Sequence, residues 1–147
     1  METILPEIGE TAHALRKAFG RRAANIGVTG AQWKVLLKLT RKPGLRQTEL
    51  ADMLDVEPIT LSRLVDRLEE AGLVERAADP ADRRAWRLHV TAKAKPVVAK
   101  LMAIAEEMWA DAFAGIARKD IETTRQVLAQ VRERAGQYGA MSKAANQ

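Results

Sequence analysis

The chain contains no cysteine among its 147 residues. That excludes a disulfide framework, a cysteine-ligated zinc site and a thiol redox switch, and it fits a reducing compartment. Histidine is nearly as scarce, and neither His13 nor His89 stands at a recognisable spacing from a nucleophile. The sequence has no glycine-rich phosphate loop and no metal-ligand motif. Enzyme chemistry, a metal and a cofactor are therefore not expected, and no catalytic residue is assigned. Apolar runs fall far short of the roughly 18 residues that a membrane-spanning helix needs. The opening METILPEIGE carries acid, where a signal peptide would carry base and a long apolar run. We therefore expect a cytoplasmic protein with no membrane association.

What the chain does have is apolar mass. Hydrophobic residues make up 47 % of it, enough for a real core within one compact subunit. The formal charge is +5, which hints at a polyanionic partner. By segment the charge is +3 for residues 1–40, −1 for 41–90 and +3 for 91–147. Any nucleic-acid contact in the middle segment must therefore come from a few placed arginines, not from a bulk positive field.

The pattern is mostly helical. Leu5, Ile8, Ala12, Leu15 and Phe19 form the stripe of a first helix. Thr29 and Gln32 stand at capping-box spacing before a second helix, with Trp33, Leu36, Leu37 and Thr40 on one face and Pro43-Gly44 at its end. LRQTELADMLDV predicts a short helix of about two turns. Glu57-Pro58 opens another, with proline in the first turn, where its missing N–H costs little. Leu61, Leu64, Val65 and Leu68 face inward there, and Thr60, Arg63, Asp66 and Arg67 face outward. Gly72 ends it.

LVERA and WRLHV then alternate like two short strands around DPADRRA. The intervening loop is longer than a two-residue turn, so its tip can project. Thr91 caps a long helix whose stripe runs through Val97, Leu101, Ile104, Ala105, Met108, Ala112 and Ile116, widened by Met102, Trp109 and Phe113. A last helix from about Lys119 carries Ile121, Leu128, Val131 and Tyr138. So broad an apolar band needs more than one neighbour to cover it. We expect residues 1–28 and 92–141 to form a helical dimerisation region, with Leu5, Ile8, Met108, Ala112, Ile116, Val127 and Val131 at the interface. A long core helix in a monomer is the alternative. The tail from Ser142 to Gln147 is small and polar and is expected to fray.

Helix, short helix, turn, capped helix and hairpin in that order make a winged helix-turn-helix, here residues 29–91. The fold class is mainly α with a small β-hairpin. In such a unit the short helix crosses the DNA backbone and the next lies in the major groove. Arg63 then faces base edges, where an arginine pairs with guanine O6 and N7. Pro58 and Ile59 suit thymine methyls. Gln47, Thr48, Thr60 and Ser62 suit phosphate or base-edge hydrogen bonds. Taken alone, Arg63 reads as a surface arginine paired with Asp66. The hairpin beside it tips the reading toward double-stranded DNA.

LRQTELADMLDVEPITLSRLVDRLEEAGLVERAADPADRRAWRLHVT resembles the MarR family of bacterial transcriptional regulators, most closely its SlyA-like branch. The similarity reaches back through TGAQWKVLLKL and forward through TAKAKPVV. It implies a homodimer that binds a pseudo-palindromic operator, as a repressor. It also implies a wing-tip Asp-x-Arg, here Asp82-Arg83-Arg84, with Arg84 in the minor groove, Asp82 orienting it and Arg83 nearer phosphate. The branch's groove positions fall on Ile59, Thr60 and Arg63, with Arg67 on the same outward face; Ile59 stands where a small residue or proline is expected. Family members often release DNA on binding a small phenolic or aromatic carboxylate. The matching pocket would be lined by His13, Arg16 and Lys17 with Trp33 and Leu37. Two alternatives stay open: a winged-helix protein-interaction module, and a ligand-independent regulator that displaces other DNA-binding proteins.

Overall fold

A computed structural model of the chain describes residues 4–145, with side-chain surroundings through Gln137. Its elements run α1 (Ile4–Ala23), a short 3-10 turn (Ala24–Ile26), α2 (Gly30–Arg41), β1 (Leu45–Arg46), α3 (Gln47–Leu54), α4 (Pro58–Glu70), β2 (Val74–Asp79), β3 (Asp82–Val90), α5 (Ala94–Ala112) and α6 (Arg118–Ala145). This is the expected mainly helical winged-helix architecture.

The helix ends follow local chemistry. Thr29 Oγ1 accepts from the Gln32 N–H at 3.2 Å, and Gln32 Oε1 accepts from the Thr29 N–H at 3.0 Å. Two otherwise unpaired donors are thus satisfied reciprocally. Pro58 sits in the first turn of α4. Past the other end of α4, Gly72 adopts a φ of +72° and the Leu73 N–H reaches back to the Leu68 carbonyl at 2.8 Å, a glycine-closed C-terminus. The carbonyl of Gly72 accepts from the Thr91 hydroxyl at 2.6 Å, and that of Ala71 from Lys93 Nζ at 2.8 Å. The two carbonyls just past α4 are therefore held by the segment that leads into α5.

The sheet is three-stranded and antiparallel in the order β1-β3-β2. The sequence predicts only the hairpin. The third strand, Leu45–Arg46, pairs with Leu88 and Arg87 and is too short to show any alternation. Gly44 makes the approach possible. Its φ is +77°, and a Cβ there would lie 3.3 Å from His89 Cε1, so a side chain would be both strained and crowded.

Two clusters form the interior. One gathers Val35, Leu36 and Leu39 of α2, Leu50 and Ala51 of α3, Leu61, Val65 and Leu68 of α4, Val74 and Leu88 of the sheet, and Ala94 and Val98 of α5. The other joins Phe19 and Ala23 of α1 to Leu101 and Met108 of α5. Val28, Trp33 and Val97 pack against both. On α2 the buried positions are Val35, Leu36 and Leu39, while Thr40 is exposed and its hydroxyl bonds to the Leu36 carbonyl. The expected face was shifted because α2 meets two clusters and not one.

The chain divides into two compact units, Met1–Met108 and Trp109–Gln147. The boundary falls inside the expected helical region 92–141. Met108 is the instructive case: expected at a dimer interface, it is 4 % exposed and packed among Phe19, Ala23 and Leu101 of its own chain. Residues 142–145, expected to fray, continue α6, whose alanine-, methionine- and lysine-rich end favours helix. Tyr138 lies beyond the described side chains, and Asn146 and Gln147 lie outside the described residues.

Candidate nucleic-acid interface

The winged unit carries many charges, and the fold sorts them. Alternation along β2 puts Val74, Arg76 and Ala78 on one face of the sheet. Val74 enters the core, so Arg76 comes down over α4. Its guanidinium meets Glu69 Oε2 and Asp66 Oδ1, each at 2.7 Å, and donates to the Ser62 carbonyl at 3.3 Å and to Gln47 Oε1 at 3.2 Å. Its backbone N–H adds a bond to Glu69 Oε1 at 3.3 Å. One arginine thereby ties the wing to α3 and α4. Trp86, Gln47, Ser62 and Glu69 close around it as a groove of about 480 Å³.

The opposite face of the sheet carries the reverse arrangement. Asp79 is 2 % exposed. Its Oδ2 lies 2.8 Å from Arg46 Nε and 3.2 Å from Arg87 Nε. Its Oδ1 accepts from the Ala81 N–H at 2.9 Å. Arg87 also donates to the Gly44 carbonyl at 2.9 Å. The Ala81 N–H holds the Asp79 carboxyl below its ordinary value; burial opposes this, and Arg46 and Arg87 add to it. A buried carboxylate is tolerable only with such partners.

Arg46, Arg76 and Arg87 are thus engaged with carboxylates of the winged unit itself. Arg63 and Arg67 on α4, and Arg83 and Arg84 at the wing tip, are exposed and make no ion pair among the described residues. Asp66, the partner that Arg63 would have if it were a plain surface arginine, is bound to Arg76. Helical spacing sets Ile59, Arg63 and Arg67 along one outward stripe.

The wing tip is tighter than expected. Strand pairing runs on to Asp79↔Asp82, which leaves only Pro80 and Ala81 between the strands, because Asp79 closes the turn through the Ala81 N–H. The register then jumps, from Asp79↔Asp82 to Ala78↔Trp86. Arg83, Arg84 and Ala85 have no opposite number on β2. They form a bulge, which turns side chains away from the regular ladder. Asp82 Oδ1 accepts from the backbone N–H of Arg84 at 3.0 Å. It fixes the main chain of Arg84 and does not grip its guanidinium.

The remaining expected contacts fall as follows. Thr48, Pro58, Thr60 and Ile59, the last 62 % exposed, lie open. Ser62 and Gln47 are half-buried, and Gln47 has its amide oxygen engaged by Arg76. Trp86 is 48 % exposed because it stands farther from the core than Leu88 on the same face. His13, Arg16 and Lys17 are exposed on α1, whereas Trp33 stacks on Phe19 with centroids 5.6 Å apart. Among the described residues, no hydrogen bond, ion pair or ring contact joins those three to Trp33 or Leu37.

Arg46, Arg76, Asp79 and Arg87 escaped the sequence reading. For Arg76 a signal existed, since it stands two residues after core-facing Val74. For Asp79 the only local cue was an acid opening a turn before proline. Its burial depends on Arg46, 33 positions away.

Residues 28–86 match the MarR family. The transcriptional regulator PA3341 shares 36 % identity, with 90 % of this chain and 98 % of that one covered, at a TM-score of 0.83. A crystal structure of MarR shares 30 % identity over 90 % of this chain and 89 % of its own, at a TM-score of 0.77. A MarR family transcriptional regulator from Listeria monocytogenes, solved in complex with a 26mer DNA, shares 25 % identity over 91 % of this chain and 89 % of its own, at a TM-score of 0.83. With this likeness extending over nearly the whole chain, the protein belongs to the MarR family of transcriptional regulators.

Proposed function

We propose that the chain is a SlyA-like repressor, active as a homodimer on a pseudo-palindromic operator in double-stranded DNA. α4 enters the major groove and Arg84 the adjacent minor groove. One observation carries this reading: Asp66, Glu69 and Asp79 are matched by Arg46, Arg76 and Arg87, while Arg63, Arg67, Arg83 and Arg84 stand exposed on the two projecting elements. A segment of net charge −1 can then still present positive charge where DNA would lie. The regulator solved with a 26mer DNA lends the reading support from a relative.

Arg63 would read guanine, and exposed Ile59 would meet thymine methyls. A minor-groove arginine favours narrow A·T-rich tracts, where the potential is most negative. Trp33 stacks on Phe19, so a small aromatic anion acting as effector would meet His13, Arg16 and Lys17 on the exposed face of α1.

The test is Arg84→Ala on sites selected from random duplexes. Affinity should fall about tenfold or more, in line with ~1–3 kcal/mol for a lost groove contact, while the dimer stays intact. Unchanged affinity in Arg84→Ala would remove the minor-groove contact, and a wild-type chain that enriches no sequence would remove the DNA reading.

A further inference from the structure

The wing of this protein is joined to its body by an unbroken series of short contacts that ends at Arg84. The Gly44 carbonyl holds Arg87 at 2.9 Å, and Arg87 holds Asp79 at 3.2 Å. Arg46, at the start of α3, holds the same carboxylate oxygen at 2.8 Å. The other oxygen of Asp79 takes the Ala81 N–H and closes the tip. Asp79 pairs with Asp82 across the hairpin, and Asp82 takes the backbone N–H of Arg84 at 3.0 Å. At Asp79 both carboxylate oxygens are engaged, by planar guanidinium groups on one side and a backbone N–H on the other.

The two faces of the wing differ in how they are fastened. On the Arg76 side, the carboxylate partners Asp66 and Glu69 have side chains 55 % and 43 % exposed. Salt and water weaken such a contact. On the Asp79 side, the carboxylate side chain is 1 % exposed. A buried carboxylate cannot give up its partners without being left unpaired, so it holds its neighbours to one arrangement. Asp79 cannot touch DNA itself, since it is buried and bears the wrong charge.

We propose that Asp79, clasped by Arg46 and Arg87, is the positioning residue that sets the direction in which Arg84 leaves the wing. This rests on the DNA reading above, and it adds a residue that acts only through another. If Asp79 works by aiming Arg84, its removal matters only while Arg84 is present. A role in general stability would cost binding whether Arg84 is there or not.

The experiment is a double-mutant cycle on a fluorescent operator duplex, using the full-length chain. Wild type, Asp79→Asn, Arg84→Ala and the double variant are titrated at two salt concentrations. Asp79→Asn keeps the shape and removes the charge. We expect it to weaken binding about tenfold alone and to add less than about twofold on the Arg84→Ala background, a coupling well above the ~0.5 kcal/mol scatter of independent sites. Hydroxyl-radical protection at the outer minor grooves should fade in Asp79→Asn, while methylation protection of major-groove guanines persists. Losses that multiply in full overturn the proposal, and so does minor-groove protection that survives in Asp79→Asn. If Asp79→Asn does not fold, Arg87→Gln enters the same cycle with the same two outcomes. A wild-type chain that binds no duplex refutes the DNA reading and this one together, and an Arg84→Ala variant that binds its operator as wild type does refutes the minor-groove contact and this proposal with it. A weakened Arg84→Ala with no coupling refutes this one alone.

Discussion

The winged region and the region from Trp109 onward use apolar residues in opposite ways. Between Val35 and Leu88 the large apolar side chains of the core, Leu36, Leu39, Leu50, Leu61, Leu68 and Leu88, are buried to 1 % exposure or less. From Trp109 to Gln137 no side chain is buried. Trp109, Phe113, Ile116, Val127 and Val131 all remain between 38 % and 49 % exposed. One region is complete within a single chain. The other carries more apolar surface than its own chain covers, which is uncommon for a monomer and is what the proposed dimer would bury.

Four substitutions or conditions press on that contrast. The largest effect is expected from Val127→Glu with Val131→Glu. If these residues meet a second copy, the double variant should sediment as a monomer. Its operator affinity should fall by about a hundredfold or more, because two linked half-site contacts become separate ones. A double variant that stays dimeric would break the comparison. Next comes Leu36→Ala in the self-contained region, expected to cost about 2–5 kcal/mol in urea unfolding without changing the assembly of the folded fraction. Third, Arg63→Ala should lose about 1–3 kcal/mol on sites with guanine at the contacted position and much less on sites without it. Equal losses on both would make Arg63 a phosphate contact.

The smallest effect concerns acid. The Asp79 carboxyl sits below its ordinary value in the folded chain, first through the Ala81 N–H, against burial, and then through Arg46 and Arg87. Its contribution to stability is therefore fully present above the ordinary aspartate value of about 4. It is lost as the pH falls through the lowered value, because the unfolded chain then binds the proton more readily. Urea midpoints followed downward from neutral pH should drop less steeply in Asp79→Asn than in wild type. Parallel curves would mean that Asp79 has no linked proton.

Local rules made part of this legible. The Thr29–Gln32 capping box, Pro58 at the start of α4 and the Leu61, Val65, Leu68 stripe depend on neighbours within one or two turns, and all are found. The resemblance of the helix-turn-wing stretch pointed to the correct family. What escaped depends on distant partners. The strand at Leu45–Arg46 exists because Leu88 and Arg87 pair with it. Asp79 is buried at the wing tip because it finds Arg46 and Arg87. Met108 and Ile116 lie on one apolar stripe in sequence, yet only Met108 meets Phe19, Ala23 and Leu101. Periodicity says which face is apolar, not which chain covers it.

On the proposed reading, each chain supplies one DNA-reading unit, and the region from Trp109 onward holds two of them as a pair. The sequences that the wild-type protein selects from random duplex DNA test this most directly. It predicts two inverted half-sites with centres about 10 base pairs apart, one helical turn, each with a guanine under Arg63 and an A·T-rich flank under Arg84. A single unrepeated half-site, or no enrichment over the starting pool, would contradict it.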